Sequence, residues 1–407
     1  MDLAQADMTE PGIFFEGVDI YGLPDKDSYW NTTIRDICRA MDDWGVPCAP
    51  LNLQDEENTT LSFDTSALPP FAISWNFNNG RWGIYKGKQV RMTSILPVKN
   101  IVLLWDHPFH WIETIDEMCN IDRQTGRQPF HIGVMDDGHI TYLREAGMPL
   151  EQIFCWKQAG PLPTGLQPPP QIDRDIGAVF HGTINDVEPF RDFCARIRIS
   201  DPIIMRHLEN CIAAVIEETI DVYAAVIRHV VDPTGMDPAP LATAPLCREI
   251  DRLTRDIRRV ALLGGLHDLE IHFIGKVDPA FQASNPKGVF LGPLSFGEII
   301  HYLQRCRTIL YDTINFRDAA VMRLFYSIQE GCVPAAELNN YLEQEFTDGS
   351  DILALNLQDP QGNLARLHDV IATPAVAQAL SDSARHTCAA RHTWTNRIGP
   401  LVNAIQG

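Results

Sequence analysis

The chain has 407 residues, 45% apolar and 21% charged, which suits a globular protein of two or three domains with material for two separate cores. Its formal charge of −20 argues against nucleic acid and anionic lipid as partners, because both are bound through clusters of Lys and Arg; a local basic pocket for a phosphorylated ligand is still allowed. Ten cysteines are scattered without a CxxC or a tight pair, so a zinc ribbon, a redox motif and a disulfide framework find no support.

The first seven residues carry neither a basic n-region nor an apolar h-region, and no later run is long enough to cross a bilayer. A cytoplasmic protein without a transmembrane segment is expected. Gly12-Ile13-Phe14-Phe15 is a short apolar run that ends at Glu16-Gly17, and Ile34, Ile37, Cys38, Met41 and Trp44 follow at helical spacing. Residues 72–78 alternate as a strand should and close on the turn pair Asn79-Gly80; Asn76 and Asn78 share one face, as turn and edge residues or as the lining of an acceptor pocket. Ile101-Val102-Leu103-Leu104-Trp105 is continuously apolar, the pattern of a parallel strand covered on both faces, and it stops at Asp106-His107-Pro108. His131-Ile132-Gly133-Val134-Met135 repeats the pattern and stops at Asp136-Asp137, a turn and cap for a helix over 140–146. Ligands of open α/β sheets sit beyond the carboxyl ends of the strands, so these two acidic stops are where chemistry is expected in this half.

The proline-rich run 161–170 can be neither helix nor inner strand and reads as an interdomain linker. Ile176-Gly177-Ala178-Val179-Phe180 then opens a strand that meets His181-Gly182-Thr183, a small-residue turn before a polar helix start. A helical insertion covers about 202–259, broken by the turn-rich 232–240. Strands follow at 269–274, ending on Gly275-Lys276, at 288–292 and at 308–312, with a helix over 296–306. The expected divisions are 1–160, a linker at 161–171, a second domain at 172–390, and a closing helix at 391–407.

Phe180-His181-Gly182, Gly275, residues 289–292, Asp318 with Arg323, Phe325 and Gly331, and the closing Arg391-His392-Thr393-Trp394 with Arg397 come in an order that resembles the C-terminal half of GT-B glycosyltransferases, more narrowly the bacterial CgeB-like group. Trp105-Asp106-His107-Pro108 looks like that group's D-x-P turn. The resemblance covers most of 171–398, and 1–160 only loosely. It implies two Rossmann-like α/β domains facing across a cleft, a nucleotide sugar (a UDP-sugar) bound mainly by 172–390, and a last helix that crosses back to the first domain. The implied reaction is metal-independent sugar transfer with retention of configuration, to a protein side chain, a polysaccharide or a small metabolite. One departure stands out. The largest retaining class carries two glutamates eight positions apart, the second holding the donor ribose, and the matching positions here are Asp318 and Tyr326. The ribose role then falls to Glu330 or Glu337, or the ribose is held less tightly.

Transfer from a nucleoside diphosphate requires that charge building on the leaving group be met by amide groups and cations. Gly182-Thr183 and Pro334-Ala335-Ala336 are read as turns at helix N-termini, where N–H groups and the dipole favour anions. Lys276, Arg317 and Arg323 are the candidate phosphate cations, Glu337 a further donor-side residue, and Asp318 a catalytic one, with no metal. Each has a bland alternative: Gly182 a plain bend, Arg323 a structural partner of Asp318, and Lys276 and Arg317 solvated charges. On the acceptor side Asp106 and His107 are the candidates for activating a hydroxyl, with Asp106 as a helix cap the alternative. His107, His110, His131 and His139 with Asp106, Asp136 and Asp137 invite a metal reading, but their spacing matches no established ligand motif. Three rivals remain: a non-catalytic binding or scaffold protein, a metal-dependent hydrolase built on Asp106, His107 and His110 with Asp136 and His139, and a sugar-nucleotide epimerase.

Overall fold

The computed structural model describes residues 12–16, 29–52, 70–76, 82–85, 88–91, 98–125, 130–161, 167–218, 220–313 and 315–407. The chain divides into two compact units, Met1–Lys157 with Trp394–Gly407, and Gln158–Thr393. Among the described residues no helix is long and apolar enough to cross a membrane.

The first unit is built on a parallel sheet. Its strands are β1 (Gly12–Glu16), β2 (Cys48–Asn52), β3 (Phe71–Trp75), β6 (Lys99–Leu103), β7 (His131–Val134) and β8 (Ile153–Cys155), in the order β2-β1-β3-β6-β7-β8. β4 (Trp82–Tyr85) and β5 (Lys88–Arg91) form a separate antiparallel pair. The alternation expected for β3 is not a half-exposed pattern: all five residues are buried, because β3 lies between β1 and β6 in a sheet covered on both faces. Asn78, Asn79 and Gly80 lie outside the described residues. The C-terminal helices Trp394–Arg397 and Gly399–Gln406 belong to this unit, where Trp394 stacks on Trp156 with ring centroids 5.2 Å apart and the Lys99 ammonium donates to the Ile405 carbonyl at 3.0 Å.

The second unit holds β9 (Ile176–His181), β10 (Ile271–Ile274), β11 (Val289–Gly292), β12 (Cys306–Tyr311), β13 (Val333–Glu337) and β14 (Leu353–Leu355), all parallel, in the order β11-β10-β9-β12-β13-β14. Counted from β9 this is 3-2-1-4-5-6, the Rossmann order, whose reversal point lies between β9 and β12. Phe180, Phe273, Leu310 and Val333 fill its core, each burial contributing about 1.5–3 kcal/mol. Pro334-Ala335-Ala336 lies inside β13 and is not a turn before a helix, which removes it from the anion-binding candidates. Pro334 is tolerated there because the β14 ladder begins only at Ala335.

The linker end is anchored by Arg174, whose buried guanidinium donates to the carbonyls of Leu303 at 3.0 Å, Cys306 at 2.5 Å, Glu330 at 2.7 Å and Pro169 at 3.0 and 3.1 Å. Gly331 is required by this clamp: its φ is +85°, and a Cβ on it would stand 2.3 Å from the Arg174 guanidinium. The insertion between β9 and β10 contains helices Pro202–Glu217, Val222–Val226 and Pro240–Gly264, the last 25 residues long.

Candidate active site

Phe180 pairs with Leu310 across the reversal point, so Gly182 and Asp312 come level just beyond the carboxyl ends of β9 and β12. Asp312 is 2% exposed and receives two guanidinium groups. Arg259, on the insertion helix Pro240–Gly264, donates Nε to Oδ2 at 2.8 Å; Arg323, on the helix Met322–Gln329, donates Nη2 to Oδ1 at 2.7 Å. Burial would raise the Asp312 pKa, but Arg259 and Arg323 hold it below the usual carboxylate range. Burial lowers the Arg259 pKa, opposed by Asp312, and an arginine remains charged throughout. Two cations on one anion leave the group with a net positive charge.

That charge is aimed by further contacts. Arg259 also donates Nη1 to the Thr183 carbonyl at 2.7 Å, tying the insertion helix to the turn after β9. Arg323 lies 5.5 Å from the Tyr311 ring centroid, and its Nη1 would be 3.4 Å from a Cβ placed on Gly182. Gly275, with φ +122°, brings β10 so close that a Cβ on it would be 2.5 Å from the Gly182 carbonyl oxygen. Lys276 follows it, exposed, with no ion-pair or hydrogen-bond partner for its ammonium among the described residues.

Several expectations change. The Gly182 N–H donates to the Ile274 carbonyl at 2.9 Å, so it is used in the sheet and not offered to a ligand. No helix starts directly after Gly182-Thr183; Ile184 first bridges to Val277, and the helix begins at Phe190. Arg323 pairs with Asp312, not Asp318. Asp318 instead accepts from the Asn340 amide at 3.2 Å and lies 3.8 Å from Arg317, which is 54% exposed. The Glu337 carboxylate is gripped by Arg258 at 2.7 and 3.3 Å, so a ribose would have to compete with a buried guanidinium. Glu330 precedes β13, at the amino edge of the sheet, where it accepts from Gln304 at 2.8 Å, far from the reversal point. Tyr326 is 2% exposed, with its hydroxyl 2.8 Å from His181 Nδ1.

In the first unit Asn76, at φ +41°, accepts from the Trp105 N–H at 2.7 Å and donates to Asp106 Oδ2 at 3.2 Å, so the ends of β3 and β6 are joined through Asp106. His107, not Asp106, caps the short turn Pro108–His110, accepting from the Phe109 N–H at 3.3 Å. Its ring stacks on Phe109 at 3.9 Å and lies 4.4 Å from the His139 ring. Asp136 caps the helix Asp137–Glu145 through the Gly138 N–H at 3.0 Å.

Arg258 and Arg259 were not legible as site residues, nor was Asp312. The signal for Asp312 was present, since β12 is a further strand that stops on an acidic residue, as at Asp106 and Asp136.

Residues 248–403 match the family model described as glycosyl transferase-like. No curated protein matches. Among solved structures the chain is similar to an alpha-glucosyltransferase in complex with UDP, at 8% identity and TM-score 0.53 over 97% of this chain and 99% of that one. It is also similar to an alpha-glucosyltransferase with UDP and a 13-mer DNA containing an A:G mismatch, at 8% identity and TM-score 0.52 over 97% and 99%. A third structure, with UDP-glucose and DNA containing an abasic site, gives 9% identity and TM-score 0.52 over 97% and 98%. At such identities the structural likeness speaks for the fold, two Rossmann-like domains of the GT-B type. The chain thus has a fold of the GT-B type and, over 248–403, a match to a glycosyl transferase-like family.

Proposed function

We propose that the chain transfers a sugar from a UDP-sugar to a hydroxyl acceptor without a metal and with retention of configuration, as a cytoplasmic bacterial enzyme of the CgeB-like group. The observation that carries the donor side is the single buried carboxylate shared by Arg259 and Arg323, which leaves positive charge beside Gly182 at the reversal point. The leaving diphosphate is stabilised there by the exposed edge of Arg323 and by the ammonium of Lys276. Uridine as the base is supported by the UDP in the similar structures. DNA is present in two of them, but a chain of charge −20 is poorly suited to approach a polyanion. The acceptor is a protein side chain, a polysaccharide or a small metabolite, with Asp106 or His107 taking its proton. Arg317, Asp318 and Thr183 complete the donor side.

Calorimetry with UDP and a panel of UDP-sugars, followed by product analysis, tests this reading. Micromolar UDP binding that disappears in Arg323→Ala, with sugar released or transferred, supports it. Binding without turnover with any acceptor would favour a binding or scaffold protein, and an isomerised donor an epimerase. A stoichiometric metal held by Asp106, His107 and His110 would favour a hydrolase.

A further inference from the structure

His181 is the last residue of β9, one position before Gly182 and beside the Arg259–Asp312–Arg323 group, and none of the roles above uses it. Its Nδ1 is 2.8 Å from the Tyr326 hydroxyl. A phenol is a stronger acid than a neutral imidazole N–H, and an imidazole nitrogen a stronger base than a phenol oxygen, so the favoured arrangement has Tyr326 donating and Nδ1 accepting. That direction leaves the ring proton on Nε2. Nε2 makes no hydrogen bond with another described residue and is not among the side-chain atoms sealed from solvent. The ring keeps some solvent exposure, but the protein packed around it, with help from the Arg323 charge, pushes its pKa down to about 3. Burial pushes the Tyr326 pKa up. Both partners are therefore neutral through the physiological range.

We propose that His181, held in one tautomer by Tyr326, presents Nε2–H as a neutral hydrogen-bond donor to a diphosphate oxygen of the nucleotide sugar. This rests on the donor reading above and adds a binding residue to it. The tyrosine at position 326 then has a function of its own: it fixes a donor and adds no negative charge beside Arg323, whereas a carboxylate there would neutralise the group. A neutral donor also does not gain or lose strength as pH moves between 5 and 8.

The test uses the full chain labelled with nitrogen-15 histidine, with His181 assigned by the signal missing in His181→Gln. Long-range proton–nitrogen spectra of the unliganded protein should show a proton on Nε2 and no titration between pH 8 and 5, with Tyr326 and Arg323 the groups facing the ring. Added UDP should shift the Nε2 resonance. His181→Gln, whose amide nitrogen can occupy the Nε2 position, should keep UDP affinity within a few-fold, while His181→Asn and His181→Ala lose roughly ten- to a hundredfold. Tyr326→Phe should give mixed tautomers and a smaller loss. A proton on Nδ1, a titration near 6.5, or equal affinities for the Gln and Asn variants would overturn the proposal. Wild-type protein that shows the Nε2 tautomer but binds no UDP would overturn the donor reading itself, so the two failures are distinguishable.

Discussion

The carboxyl edges of the two sheets are built from different chemistry. Beyond β9 and β12 the second unit gathers ion pairs: Arg259 and Arg323 on Asp312, and Arg258 on Glu337. Beyond β3, β6 and β8 the first unit gathers rings, with Trp75, Trp105 and Trp156 at centroid distances of 4.2 to 6.3 Å, and polar ties from Asn76 to Trp105 and Asp106. The same parallel-sheet scaffold thus offers one edge that can hold charge and one that can hold a shape. Under the proposed function a diphosphate uses the first, and a hydroxyl acceptor would use one base at the second.

The comparison breaks most directly at Asp312. Asp312→Ala leaves the buried Arg259 guanidinium facing the partly buried one of Arg323, and should cost roughly 3–5 kcal/mol of stability in urea titrations as well as UDP binding. The sign with pH follows from its depressed pKa. The stabilisation from this carboxylate is present above the usual carboxylate value of about 4 and is lost as pH falls through its lower folded value. The variant should therefore lose part of the acid limb of the stability curve. A wild-type-like melting temperature for Asp312→Ala would show that the group is not under electrostatic strain.

Arg323→Ala separates charge from stability. Asp312 keeps Arg259, so melting should move little, while transition-state stabilisation falls by about 3 kcal/mol, read as a drop of roughly a hundredfold in kcat. A large fall in melting temperature with kcat intact would make the pair structural. The same experiment on the first unit should separate transfer from donor binding. Asp106→Asn, which keeps a hydrogen-bonding group for Asn76, should slow transfer by about a hundredfold and leave UDP affinity unchanged. Loss of both would make Asp106 a support for the fold.

Where the sequence could be read, the reason is local. β6 and β7 announce themselves as unbroken apolar runs, and β9 to β12 as runs punctuated by Gly182, Gly275 and Asp312. From sequence β13 reads as a turn because Pro334 overrides its neighbours, and β2, with Pro50 inside it, has no usable pattern. At the site the limit is distance along the chain. Arg323 invites a partner five residues back, Asp318, yet its partner is Asp312 because the loop after β12 folds the nearer carboxylate towards Asn340. Arg259 sits 53 residues before Asp312, on a helix of the insertion, and only the 3-2-1-4-5-6 strand order brings the two together. Residue types were legible; their pairing is a property of sheet topology.

The smallest expected effect is also the cleanest probe of the charged edge. Lys276 is exposed and has no described partner, so replacing it with Met removes a charge without stranding another. Melting should be unchanged, since a solvated ammonium contributes little to the folded state. If it faces a bound diphosphate, UDP affinity should fall a few-fold at low salt, and the difference should shrink as added salt screens an exposed pair over about 10 Å at 0.1 M. The Arg323→Ala deficit, arising from a half-buried guanidinium, should persist at the same salt, because screening is weaker there. Equal salt sensitivity for both variants would mean that the two cations meet the ligand in the same solvent environment, and that the buried carboxylate gives Arg323 no special position.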